Sequence, residues 1–154
     1  MLMLSSPTVK AERPLPERYT CDGAGVSPPL AWSGLPPGTL SLVLLVEDLD
    51  EGVAAGGPRT HWIVYNIPAT THALAEDAAR RGLPARALPG TNDWGTVGYG
   101  GPCPLSGRHR YVHRLLALDS VLPDLHAPRR EVLEAAMAGH VLEDASLVAT
   151  YARA

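Results

Sequence analysis

The chain has 154 residues, of which 45% are hydrophobic and 19% are charged, and its formal net charge is -3. This length and composition are typical of one globular domain that buries a substantial core. The negative charge excludes the basic field of most nucleic-acid-binding domains, so we expect no nucleic acid as a partner. No apolar run approaches the roughly 20 residues of a membrane span, and the N-terminus lacks a signal-peptide pattern. We therefore expect a soluble, cytoplasmic protein without stable membrane attachment.

Fifteen prolines and fifteen glycines indicate many turns and short elements, which favours a mainly β fold over a helix bundle. Residues 1–16 are predicted to be a loosely attached lead-in to a single domain that spans residues 1–154. Four apolar or β-branched runs are predicted to be strands, at residues 41–47, 61–67, 109–118 and 146–151. Residues 69–98 are mixed and rich in turns, which predicts long surface excursions.

One helix is predicted near the C-terminus, over residues 128–138. Pro128 suits its first turn and Gly139 suits its end. The apolar side of this helix would be formed by Val132, Leu133, Ala136 and Met137.

A loop rich in glycine and proline, residues 100–107, leads directly into the strand that begins at His109. Glycine lets a ligand approach backbone N–H groups closely. Alternate side chains of a strand share a face, so His109, Tyr111 and His113 should point one way and Val112 the other. Backbone donors beside an imidazole and a phenol suit a small, oxygen-rich anion.

Two further polar residues lie at strand ends. Asp48 closes the first buried strand on the face of Leu44 and Val46, where an unpaired carboxylate is costly. It is interpreted either as a turn carboxylate that caps backbone N–H groups or as the partner of an imidazole or cation; for Asp50 the turn interpretation leads. His61 begins the second strand on the face predicted for Ile63 and Tyr65, and is either a packed histidine or a ligand contact.

Five strings of the sequence occur together, in order and at suitable spacing: 19–23 (YTCDG), 27–32 (SPPLAW), 47–50 (EDLD), 61–68 (HWIVYNIP) and 100–111 (GGPCPLSGRHRY). In these strings the chain resembles the phosphatidylethanolamine-binding protein (PEBP) family, and within it the bacterial and archaeal Raf-kinase-inhibitor-like branch. The resemblance runs from about Tyr19 to Tyr151, which is nearly the whole chain.

The resemblance implies a PEBP-like β-sandwich with a few short helices, and a small anion pocket formed by Asp48, His61, Gly101, His109 and Tyr111. Such a pocket would take phosphate, acetate or a phospholipid head group of the phosphoethanolamine type. The imidazoles, the phenol and a backbone N–H near Gly101 would donate to the anion, and Asp48 would orient an imidazole or accept from an ammonium group. We expect no metal and no cofactor.

Four features of the sequence need a separate interpretation: Leu49, residues 51–59, His113 and the two cysteines. Leu49 stands where the family has proline, and the Gly/Ala-rich stretch 51–59 predicts a looser pocket rim. His113 is interpreted as a core histidine rather than a third pocket imidazole. Cys21 and Cys103 are reduced thiols by default in a cytosolic protein, but the family branch often carries both, and a disulfide between them is left open.

The leading functional hypothesis is a non-enzymatic module that binds a small phosphorylated or carboxylated ligand and regulates or inhibits a protein partner. One alternative is a protein-interaction inhibitor of a protease or kinase whose pocket is incidental. Another is an enzyme, with a metal on Asp48, His61 and His109 or with Cys103 or Ser106 as nucleophile. No metal motif or nucleophile elbow supports catalysis, so we predict no enzyme. Family analogy allows a homodimer.

Overall fold

The computed structural model describes residues 1–51 and 59–153. Its elements in chain order are β1 (Met3–Ser5), a 3-10 helix (Glu17–Tyr19), β2 (Leu30–Ser33), β3 (Ser41–Asp48), β4 (Arg59–Pro68), β5 (Ala73–Leu74), α1 (Ala78–Arg81), β6 (Leu88–Pro89), β7 (His109–Leu118), α2 (Arg130–Met137) and β8 (Val141–Tyr151). Among these residues, no helix has the length and apolar character needed to span a membrane.

The strands form two antiparallel sheets, one in the order β1-β2-β5 and one in the order β6-β4-β3-β7-β8. A first core cluster joins the small sheet to one face of the large sheet. A second cluster joins the other face to α2. The fold is therefore a β-sandwich with a helix near its C-terminus on the outer face, which confirms the predicted fold class.

Strand β3 lies at the centre of the large sheet and is buried along its whole length. Leu44 and Val46 face the first cluster, whereas Val43 and Leu45 face the second. Both faces need apolar side chains, which explains the continuous apolar run in the sequence. Asp48 ends the strand on the face of Val46, at the edge of the first cluster.

Strand β4 carries a β-bulge at His61. Val46 pairs with Trp62 and the next residue, Glu47, pairs with Thr60, so His61 is an extra residue on β4. A bulge breaks the alternation of side chains and re-aims one of them. His61 consequently contacts the ring of Tyr111, in the first cluster. The prediction that His61 shares a face with Ile63 and Tyr65 is wrong for this reason.

The N-terminal segment is firmly attached, so the prediction of a loose lead-in is wrong. Leu2, Val9 and Leu15 are buried in the first cluster, and β1 pairs with β2. The Glu12 N–H donates to the Val148 carbonyl at 2.7 Å. The segment thereby covers part of the outer edge of β8, whose backbone groups would otherwise lack partners.

Helix α2, at Arg130–Met137 instead of 128–138, and strand β8 both differ from the sequence prediction. Helix α2 buries Leu133 and Met137 as predicted. Val132 is 52% exposed, because it is not among the helix side chains that pack in the second cluster. Strand β8 starts at Val141 rather than at residue 146, since it pairs with β7 over nearly all of its length. Strand β7 matches its predicted bounds.

Candidate functional site

The candidate site lies at one end of the large sheet, where β3 ends and β4 and β7 begin. Antiparallel pairing places Asp48 opposite Tyr111, and the bulge turns His61 toward the same place. The fold thus brings together three of the predicted residues on three neighbouring strands. His109 joins them from the first position of β7.

Asp48 is 2% exposed, and both of its oxygens are used. Oδ1 accepts the backbone N–H groups of Asp50 at 2.8 Å and Glu51 at 3.0 Å. Oδ2 accepts from Nδ1 of His109 at 2.7 Å. Both interpretations of Asp48 therefore hold at once: it caps a turn and it orients an imidazole.

Both ring nitrogens of His109 face acceptors. Nδ1 lies against the Asp48 carboxylate, and Nε2 lies 3.1 Å from the Ser106 carbonyl oxygen. Because neither acceptor carries a hydrogen, the two contacts favour donation by both nitrogens and therefore the imidazolium form. Burial opposes this charge, but the hydrogen bond and charge of Asp48 outweigh it and raise the pKa of His109 above its ordinary value. The Asp48 carboxylate thus orients His109 and favours its charged form.

His61 is in the opposite state. Its Nδ1 lies 2.7 Å from the Gly100 carbonyl oxygen and must donate to it. Burial lowers the pKa of His61 to about 4, so the ring is neutral near pH 7. Nε2 then presents a lone pair, and within the described part of the chain it has no hydrogen-bond partner.

The Tyr111 hydroxyl is also buried without a hydrogen-bond partner among the described residues. Its ring lies edge-on to His61, with centroids 5.4 Å apart, and stacks on His109 at 6.3 Å. Burial, followed by the charges of Asp48 and Glu51, raises the pKa of Tyr111 above its ordinary value. The phenol therefore keeps its proton and remains a donor.

Trp94 belongs to the site, and the sequence analysis missed it. Its indole lies edge-on to His61 at 4.7 Å, and the Arg59 guanidinium carbon is 5.2 Å from the centre of its ring. The fully buried Asn92 fixes the Trp94 loop, because its Oδ1 accepts the Trp94 N–H at 3.0 Å and its Nδ2 donates to the Gly98 carbonyl. The string 92–95 (NDWG) indicates a turn, but nothing in it identifies the neighbour of the indole.

Two glycines hold the loop against its neighbours. A Cβ on Gly100 would lie 2.5 Å from the Trp94 ring, and one on Gly101 would lie 3.0 Å from the Tyr19 carbonyl oxygen. Gly101 is therefore required for close packing of the loop on the Tyr19–Thr20 backbone, and its donation to a ligand stays a prediction. Its N–H forms no hydrogen bond with any residue that the structure describes.

A cavity of about 290 Å³ opens at this end of the sheet. Its lining consists of Asp48, Glu51, Arg59, His61, Trp94, Cys103, Pro104 and Leu105. Of the predicted site residues, Asp48 and His61 line the cavity directly. His109 and Tyr111 are not part of the lining, but His109 contacts Asp48 and Tyr111 contacts His61.

Cys21 and Cys103 form a disulfide, with their Cα atoms 5.4 Å apart. The default expectation of two reduced thiols is therefore wrong, since the fold brings the two loops into contact. The Cys21 N–H also donates to the Pro102 carbonyl at 3.1 Å. The bond ties the loop after the 3-10 helix to the wall of the cavity.

Three other sequence interpretations can be placed. His113 is a buried core histidine that donates to the Leu147 carbonyl, and burial lowers its pKa to about 4. Asp50 accepts the backbone N–H of Arg110 at 2.8 Å and pairs with its guanidinium. The predicted looser rim over 51–59 falls mainly on residues 52–58, which lie outside the described residues.

The side chains that could hold a metal ion differ from the predicted set. Among the described residues, ligand-type atoms of Asp48, Glu51 and His109 lie within 4.8 Å of one another, and His61 is not in this group. The charge of the His109 imidazolium accounts for the nearness of the two carboxylates, which lie 2.7 and 3.7 Å from Nδ1.

The protein is a β-sandwich of two packed sheets with a histidine-lined pocket at the end of the central strands. A sequence model of the phosphatidylethanolamine-binding protein family matches residues 5–152. The chain belongs to this family, which confirms the resemblance drawn from the five strings.

Relatives and solved structures agree with this assignment. The chain is 49% identical over 142 residues to a "UPF0098 protein" of Methanothermobacter thermautotrophicus, a match that covers 90% of this chain and 91% of the relative. A PEBP homologue from Chlamydia trachomatis superposes with a TM-score of 0.90 at 41% identity, covering 99% and 98% of the two chains. Escherichia coli YbcL, described as a member of the mammalian PEBP family, gives 0.92 at 31% identity and covers 99% of both.

Proposed function

We propose that this protein is a non-enzymatic binding module for a small oxyanion, such as phosphate or a phosphorylated or carboxylated compound. The observation that carries the proposal is His61 Nε2, a buried polar atom in the cavity lining with no hydrogen-bond partner among the described residues, behind which lies the similarly unpartnered Tyr111 hydroxyl. Leaving a buried polar group without a partner costs about 1–3 kcal/mol. A ligand that donates to His61 Nε2 and accepts from the Tyr111 hydroxyl would offset this cost at both atoms.

The charges around the cavity indicate how such a ligand would be held. Arg59 and the His109 imidazolium are cationic, and Asp48 and Glu51 oppose them. Because these charges nearly balance, directed hydrogen bonds rather than a strong positive field would select the ligand. The carboxylates would also tolerate an ammonium group on the same ligand, as in phosphoethanolamine.

The contacts of the two proposed nucleophiles favour binding over catalysis. The Cys103 sulfur is bonded to Cys21, so it is not a thiolate while the disulfide is intact. Ser106 meets the His109 ring through its carbonyl oxygen and not through its hydroxyl.

Family membership supports a regulatory role, in which ligand binding accompanies the control or inhibition of a protein partner. A fold hosts many functions, so the partner must be found by experiment. A cytoplasmic location stays a prediction, and the disulfide bears on it because disulfides persist mainly in oxidising compartments.

A matched pair of tyrosine variants tests the proposal. In Tyr111→Phe the unpartnered hydroxyl is removed, so we expect no loss of thermal stability but a loss of phosphate affinity of roughly tenfold or more. In the control Tyr65→Phe, on the opposite face, the lost hydroxyl accepts the Leu125 N–H at 3.0 Å. We expect this variant to lose stability and to keep phosphate affinity.

Isothermal titration calorimetry with phosphate and phosphoethanolamine, together with thermal melts, gives both readouts. Saturable binding that is weakened only in Tyr111→Phe supports the pocket. Absence of binding by the wild type would refute the proposal and favour the protein-interaction alternative, with a pocket that is incidental.

A further inference from the structure

We propose that His61 accepts a hydrogen bond from the ligand, so that the pocket selects oxyanions that carry a proton. Phosphate and phosphomonoesters can carry one, whereas sulfate and phosphodiesters are fully ionised near neutral pH. This inference rests on the proposed function and names the ligand class of the same pocket.

The backbone fixes the tautomer of His61. The imidazole Nδ1 lies 2.7 Å from the Gly100 carbonyl oxygen, and the Gly100 N–H donates to the His61 carbonyl at 2.9 Å. Two reciprocal hydrogen bonds thus join the same two residues and hold the ring in one orientation. A carbonyl oxygen has no hydrogen to offer, so the proton of a neutral ring stays on Nδ1 and the lone pair stays on Nε2.

The surroundings of His61 keep the ring neutral. Desolvation is the largest influence, since the side chain is 1% exposed. The charged and titratable groups that face it are Asp48 on β3, Arg59 on its own strand, Asp93 in the Trp94 loop, and Tyr111 and His113 on β7. Asp48 favours protonation, but its charge is matched by His109 at 2.7 Å, and Arg59 opposes protonation. The balance lowers the pKa of His61 to about 4.

Neutral His61 and the Tyr111 hydroxyl form a complementary pair of ligand partners. One is an acceptor and the other is a donor, and both are buried and unpartnered within the described residues. A monoprotonated phosphoryl group offers a P–OH to Nε2 and an ionised oxygen to the phenol. Sulfate offers only oxygens, so its lone pairs would face the lone pair of Nε2. An unmatched buried group of this kind costs about tenfold to a hundredfold in affinity.

A series of small ligands tests this selectivity on the unmodified chain. Methyl phosphate and dimethyl phosphate differ by one methyl group, and near neutral pH only the first carries a proton on a phosphorus-bound oxygen. We expect methyl phosphate to bind at least about tenfold more tightly than dimethyl phosphate or sulfate at pH 6. At pH 8 the free monoester is mainly a dianion, since its second pKa is about 6. Binding should then take up about one proton, seen calorimetrically as a dependence of the heat on the ionisation enthalpy of the buffer.

The same series of ligands distinguishes the effect of His61 on ligand affinity from that of His109. Loss of the His109 charge at high pH would weaken all three anions alike, whereas the inference predicts that the advantage of methyl phosphate falls from pH 6 to pH 8. The variant His61→Gln can present an amide N–H to the ligand and should reduce the preference for methyl phosphate over sulfate to within about threefold. The control His140→Gln changes an exposed histidine paired with Asp119 and should leave the preference unchanged.

The outcomes are distinguishable from failure of the proposed function. Equal binding of methyl phosphate and sulfate without proton uptake would overturn the role of His61 and leave an anion pocket. No binding of any of the three anions would overturn the pocket itself. Discrimination that persists in a folded His61→Gln protein would assign the selectivity to another residue.

Discussion

Replacing Asp48 with asparagine tests the central hydrogen bond of the site. The amide oxygen of asparagine can still accept the N–H groups of Asp50 and Glu51, which lie 2.8 and 3.0 Å from Oδ1. The change therefore removes mainly the charged contact with His109 at 2.7 Å. In Asp48→Asn the pKa of His109 should fall, because the partner that raises it is gone.

The size of the effect follows from the kind of bond that is lost. A hydrogen bond to a charged group contributes about 1.5–3 kcal/mol, and both side chains are largely shielded from solvent. For a chain of this length, each kcal/mol lowers Tm by about 2–4 °C. We therefore expect Tm to fall by roughly 4–10 °C near pH 6.

The dependence on pH has a definite sign. Because the pKa of His109 is raised in the folded state, its stabilisation is complete below the unfolded value of about 6.5 and is lost as pH rises through the folded value. The difference in free energy of unfolding between wild type and Asp48→Asn should be larger at pH 6 than at pH 9. Urea denaturation at both pH values and an NMR titration of His109 measure these quantities.

A surface pair supplies the control for this experiment. Asp119 and His140 form a contact of 2.9 Å in which both side chains are nearly half exposed. Exposed pairs contribute about 0–1 kcal/mol, so Asp119→Asn should change stability little at either pH. A pH-independent effect of Asp48→Asn, or equal losses in the two variants, would refute the assignment of His109 as a buried cation.

Three further predictions concern the loops around the cavity. Reduction of the Cys21–Cys103 bond, which spans 82 residues, should lower stability by about 4.5 kcal/mol on the chain-entropy model, and melts with and without reductant would show no shift if the bond contributes nothing. Gly100→Ala should push the Trp94 indole away from its place, since the new Cβ would lie 2.5 Å from the ring; an unchanged tryptophan emission spectrum would contradict this. Asn92→Ala should cost about 1–3 kcal/mol in urea denaturation because the fully buried Asn92 side chain supplies the acceptor of the Trp94 N–H, and a loss below 1 kcal/mol would argue against its role.

The long strands of the large sheet and helix α2 could be predicted from sequence because they depend on local patterns, whereas the pocket residues as a set came from the family resemblance. The apolar run at 41–47 indicated a strand buried on both faces, and the first position of β7 was predicted correctly at His109. His61 was included in the site only through the family resemblance. The face to which the His61 side chain points was predicted wrongly. A bulge depends on the register between two strands, so it cannot be recognised from the alternation of side chains in one strand.

The other misses also depended on contacts between distant parts of the chain. The N-terminal segment is attached because it forms hydrogen bonds with β2 and β8 and buries Leu2 and Leu15 in the first cluster. The sequence of the segment alone does not reveal these partners. Trp94 reaches His61 only once Asn92 has folded its loop. A turn-rich string indicates that the chain reverses there, but the residues that pack against the turn are determined by the tertiary fold.

The bond between Cys21 and Cys103 makes a covalent ring that contains β2 to β6, and β7 lies outside it. Arg81 is inside the ring and its side chain is 82% exposed, which makes it a site for trypsin. A single cut there would leave one covalently connected molecule, which would separate into two pieces on a gel only after reductant is added. In oxidising surroundings the disulfide would keep the two pieces covalently joined after such a cut, whereas in reducing surroundings only noncovalent contacts such as the pairing of β3 with β7 would hold them.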